Sequence, residues 1–88
     1  MNLAALLDTS VTVSSPPPGS VNVRVGKTIE GPGGTWVPCA TKIAGGVYYS
    51  GLFQIGSGRR QVCAADKALA CADEALSRAI ELASSAAA

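Results

Sequence analysis

The sequence predicts an α+β domain: a three- to four-stranded antiparallel sheet with one C-terminal amphipathic helix packed on one face. Three observations carry this expectation. Val21-Asn22-Val23-Arg24-Val25 alternates apolar and polar residues at the period of a strand. Gly-rich breaks at 31–34, 44–46 and 56–58 divide the middle of the chain into hairpin-sized pieces. From Lys67 to about Ala83, apolar residues recur at three- and four-residue steps, the period of a helix.

Along the chain, residues 1–8 suit one short helical turn, with Leu3, Leu6 and Leu7 on one side. Val11-Thr12-Val13 is briefly extended. Pro16-Pro17-Pro18-Gly19 is a stiff, polyproline-prone loop. We read residues 1–20 as an N-terminal segment, 21–83 as the single domain and 84–88 as a frayed tail.

After the Val21–Val25 strand, the same parity continues through Lys27 to Ile29. Thr35 to Ile43 is a second strand, with Val37, Cys39, Thr41 and Ile43 on one face and Trp36, Pro38, Ala40 and Lys42 on the other. Pro38 cannot donate to a ladder, which points to an edge or a bulge. Val47 to Ile55 is a third strand: Val47, Tyr49, Phe53 and Ile55 share one face, Tyr48, Ser50, Leu52 and Gln54 the other. Arg59 to Ala64 reads either as a fourth strand, with Asp66 capping the helix, or as a helix that begins near Arg60. On the helix, Ala65, Leu69, Ala72, Leu76, Ile80 and Ala83 form the expected apolar stripe, with Asp66, Asp73, Glu74, Ser77 and Glu81 largely opposite. Glu74 and Arg78 are spaced as a helical ion pair.

Composition narrows the function. The 88 residues hold seven Lys+Arg, six Asp+Glu and no histidine, a net charge of +1. Without histidine, the commonest general base and the Ser-His and Cys-His pairs are excluded. The cysteines, at 39, 63 and 71, are odd in number and lack metal-ligand spacing; they read as small buried hydrophobes. No enzyme, metal or cofactor is expected. The apolar start ends at Asp8 with no basic flank, and no apolar run reaches a bilayer's width, so the expected location is the cytoplasm. Gly26-Lys27-Thr28 resembles the tail of a phosphate loop, but Val21 stands where its first glycine belongs.

Charge is uneven. Residues 1–60 carry +3 and residues 61–88 carry −2. With the helix over the valine-rich face, the other face shows Arg24, Trp36, Lys42, Tyr48, Leu52 and Gln54. Aromatic and basic residues together suit a protein interface, with Trp36 and Tyr48 as anchors and Arg24 and Lys42 as rim charges. They also suit nucleobase stacking beside phosphate contacts, with Arg59 and Arg60 as a second basic point. The expected function is a non-catalytic module that binds a protein partner through the open sheet face and an edge strand. Binding of RNA or DNA through the same face is the alternative. An alanine-rich helix leaves the core short of volume, which favours a homodimer.

Gly56-Ser57-Gly58-Arg59-Arg60, followed by a helix ending near Leu82, is similar to the end of the double-stranded-RNA-binding domain. That family places a lysine cluster at the start of its second helix, where this chain has Gln61, Val62, Cys63 and Ala64, so no binding residue carries over. In size and plan the chain also resembles small phage-encoded inhibitors of bacterial defence systems. This resemblance implies a larger host complex as the partner.

Overall fold

The computed structural model describes residues 13–56 and 61–88. The helical turn expected over 1–8, the start of the Val11–Val13 stretch and the Arg59-Arg60 pair lie outside them. The architecture is α+β, as the sequence predicts, but among the described residues the antiparallel sheet has six strands rather than three or four. They are β1 (Val13–Ser14), β2 (Val21–Val25), β3 (Ile29–Gly31), β4 (Gly34–Ile43), β5 (Val47–Ile55) and β6 (Gln61–Leu69); helix α1 (Ala72–Ala87) follows. The spatial order is β1-β6-β5-β4-β2, with β3 also pairing β4. The extra strands are short and lean on longer neighbours: Val13 pairs Ala64, and Ile29 pairs Trp36.

The uncertain stretch after Gly58 is strand from Gln61. It runs on to Leu69, so the helix starts five residues later than Lys67. Ser50 pairs Ala64 and Tyr48 pairs Leu69, so β6 carries an irregularity that pushes out the residues around Asp66 and Lys67. Cys71 stands at the N-cap in extended conformation, without a capping side-chain bond. Asp73 and Glu74 in the first turn suit the positive end of the helix dipole.

In β4 and β5 the register keeps the expected faces. In β2 the bulge between Asn22 and Arg24 breaks the expected alternation: Val21 pairs Lys42 on one face, Val25 pairs Cys39 on the other, and Ile29 falls on the Trp36 face. Trp36 pairs Gln54, Pro38 pairs Leu52 and Ala40 pairs Ser50; between them lie Val37 opposite Phe53 and Cys39 opposite Gly51. The expected side for the helix is overturned. α1 lies over the Trp36 and Leu52 face, and the core joins these two with Val62, Ala64, Leu82, Ala83, Ala86 and Ala87. Volume explains the choice. An alanine-lined helix fills little space, so its partner face must supply the bulk. Trp36 and Leu52 do so; the strip around Gly51, Cys39 and Thr41 cannot.

The helix is also rotated from its expected stripe. Ala75, Ala79, Leu82, Ala83, Ala86 and Ala87 are buried, while Ile80 remains 42% exposed. The small residues face the sheet because they allow the closest approach. Nor does the tail fray. Helix α1 runs to Ala87, whose carbonyl oxygen accepts the Gly33 N–H at 2.7 Å. The backbone of Gly31 lies against that carbonyl so closely that a Cβ there would overlap it. The glycine turn thus holds the end of the helix, and the indole Nε1–H of Trp36 donates to the Gly33 oxygen from below at 3.3 Å.

Candidate protein-binding edge and the concave face

The residues expected to form one open face are separated by the structure. Trp36 is 2% exposed and Leu52 fully buried, so both belong to the core beneath α1 and neither is a surface anchor. Gln54 pairs Trp36 and is half-buried. Tyr48 and Lys42 pair with each other across β5 and β4; Tyr48 is half-buried and Lys42 exposed. Arg24 reaches from β2 to the first turn of the helix, its Nε 3.0 Å from an Asp73 oxygen. Arg78 turns to Asp66 on β6 in a two-pronged bond of 2.8 and 3.2 Å, rather than to Glu74. The hydrogen bond from Arg78 holds the Asp66 carboxyl below its ordinary range. A shallow groove of about 520 Å³ beside β6 takes in Lys67, Leu69, Glu74, Arg78 and Glu81. Of its charges, Arg78 and the neighbouring Asp73 are already partnered within the chain.

The face away from α1 is not a flat apolar surface. Its centre is a hydrogen-bonded cluster that sequence reasoning missed. Asn22 Nδ2 donates to Gln61 Oε1 at 2.9 Å, and Gln61 Nε2 donates back to Asn22 Oδ1 at 3.1 Å. Thr41 Oγ1 donates to Asn22 Oδ1 at 2.9 Å and accepts from Gln61 Nε2 at 3.0 Å. Asn22 is on β2 and Gln61 on β6, three strand steps apart in the sheet order. On a flat sheet that is about 14 Å, beyond the reach of two upright amide side chains. The sheet therefore coils until the two meet, and this face is concave.

Gly51 makes the closure possible. A Cβ there would stand 2.8 Å from both Cys39 Sγ and Thr41 Oγ1 and 3.1 Å from Gln61 Nε2. Cys39 and Cys63 flank it on either side in register, both with no exposed surface. Burial pushes the Cys39 thiol up to about 11 and the Cys63 thiol in the same direction, so both stay protonated at neutral pH. Cys71, expected to be buried like them, is exposed. Among the described residues no three His, Cys, Asp or Glu side chains gather as a metal site would require.

The strand β2 is the other distinctive feature. All five of its residues are exposed, with Val21 at 59%, Val23 at 43% and Val25 at 60%. Among the described residues it pairs on one side only, with β4, and it carries a bulge between Asn22 and Arg24. A turn bond precedes it and a bond to β4 follows it. Ser20 N–H donates to the Pro17 carbonyl at 3.1 Å, and Gly26 N–H to the Pro38 carbonyl at 2.8 Å. Comparison with protein-family models, with curated proteins and with solved structures returns no match. No helix among the described residues is long and apolar enough to cross a membrane.

Proposed function

We propose that the protein is a non-catalytic module that binds another protein by pairing β2 with an extended segment of its partner. The observation that carries this reading is the five-residue edge with three exposed valines. Unpaired backbone donors and acceptors along such an edge hydrogen-bond to an added strand, and side chains on either side set its preference. The strand is preorganised by the Gly26 bond to β4 that follows it and by Asn22, so little ordering entropy is spent on docking. Its bulge keeps the pairing surface short and irregular, which limits uncontrolled sheet-to-sheet association. Val21, Val23 and Val25 take the anchoring role expected of Trp36 and Tyr48. Arg24 and Lys42 keep their role as rim charges.

Binding at an edge suits a small inhibitor that blocks a larger host complex, and this is the setting we favour. Carboxylates hold Arg24 and Arg78, which leaves the nucleic-acid alternative without a free arginine patch among the described residues. The test is affinity purification from native host lysate with the full chain and with Val23→Lys, each with and without nuclease. We expect a protein that survives nuclease and is lost with Val23→Lys. Retention by Val23→Lys, or loss on nuclease treatment, overturns the reading. Sedimentation of the purified chain shows whether the partner is a second copy, the homodimer that the thin core favours.

A further inference from the structure

We propose that β2 is a releasable strap, and that its opening uncovers Cys39 and Cys63 as a cryptic thiol site for soft electrophiles and oxidants. The inference is independent of the partner reading. It rests on how β2 is held and on what lies beneath it.

No residue of β2 enters the apolar core, and all five remain exposed in place. What keeps the strand down is a bulged ladder to β4, the Gly26–Pro38 backbone bond at its end, the Asn22 amide cluster and the solvent-exposed Arg24–Asp73 pair. An element with so little buried apolar surface opens at far lower free energy than the whole domain unfolds. The rest of the sheet keeps its own attachment, because β4, β5 and β6 contribute Trp36, Leu52, Val62 and Ala64 to the core under α1.

The amides that latch the strand also cover the sulfurs. Asn22 Oδ1 lies 3.8 Å from Cys39 Sγ, and Gln61 Nε2 lies 3.7 Å from Cys63 Sγ. Val25, at the end of β2, is the cross-strand neighbour of Cys39. Lifting β2 takes away Asn22 and Val25 together and frees Gln61 to swing outward. Both thiols then meet water and ionise in their ordinary range. They become nucleophiles, while in the closed form they are inert.

The test is thiol labelling of the full chain with an aryl disulfide, read site by site by mass spectrometry. Each reacting cysteine loses its proton to solvent. Its thiolate then attacks the reagent's disulfide, forming a mixed disulfide and releasing one aryl thiolate. Cys71 is exposed and serves as the internal reference for full reactivity. Cys39 and Cys63 are expected to react more slowly than Cys71 but in step with each other. Their rates should change little in low urea, because a local opening exposes little surface. Asn22→Ala should raise both rates about tenfold, the effect of one or two net hydrogen bonds. The proposal fails if both rates rise with urea as steeply as global unfolding. It also fails if a folded Asn22→Ala leaves the slow pair unchanged. Should that variant not fold, the urea dependence of the wild-type chain decides.

Discussion

The two faces of this sheet are closed by opposite means. Under α1 the seal is volume: an indole and a leucine fill the space that an alanine helix leaves, and Ala83 and Ala86 come down on them. On the concave face the seal is a hydrogen-bond circuit, in which Asn22, Thr41 and Gln61 meet over a glycine and shield two thiols. Packing of the first kind resists local opening, because every part of it is lost only when the layers separate. A circuit hung on an exposed edge strand gives way when that strand lifts. The proposed binding edge, β2, belongs to the yielding circuit through Asn22 and meets the helix at the exposed Arg24–Asp73 pair.

The contrast can be broken most severely at Trp36. Trp36→Ala removes the largest side chain of the core and should cost about 3–5 kcal/mol of stability. Urea denaturation would measure this; a variant of native stability would show that the helix-covered face does not carry the fold. The concave face should be more sensitive to added bulk than to lost bulk. Gly51→Ala sets a methyl against Cys39 and Thr41, and overpacking of this kind costs about 1–3 kcal/mol. An unchanged denaturation midpoint would mean that the sheet coils without needing a bare backbone there.

Two further effects follow from protonation, one from each end of the pH scale. Cys39 holds its proton up to about 11 when folded, against 9.0 as its ordinary value. Its contribution to stability is therefore complete below pH 9 and falls as pH rises between these values, where only the unfolded chain has released the proton. Cys39→Ser should flatten that alkaline fall, and a denaturation series from pH 8 to about 11 reads it directly. The smallest effect is expected at Asp66. Its folded pKa is depressed by Arg78, so the pair stabilises above the ordinary carboxylate range and this is lost as pH falls through the folded value. Both side chains are partly exposed, so Asp66→Asn should cost less than about 1 kcal/mol at neutral pH. It should also remove part of the acid limb of a thermal melt; a larger loss would mean that the outward turn of β6 organises the domain.

Local pattern was enough for much of this chain. Alternation marked β2, β4 and β5 and divided the side chains of β4 and β5 correctly between two faces, because a strand's period of two is a property of the backbone. In β2 the bulge between Asn22 and Arg24 breaks that period, so Val21 and Val25 lie on opposite faces. Helical spacing announced α1, and the absence of histidine narrowed the chemistry before any coordinates. Which face the helix would cover was beyond such reasoning. Both faces offer apolar residues; the choice turned on the volume of Trp36 and Leu52 against the alanines, a quantity that exists only between layers. The helix end was set in the same way, by the Gly33 amide that meets the carbonyl of Ala87. The amide cluster was hidden for a related reason. Asn22, Thr41 and Gln61 are far apart in sequence and spread over three strand steps of the sheet, and they become neighbours only because the coiled sheet brings β2 and β6 together over Gly51.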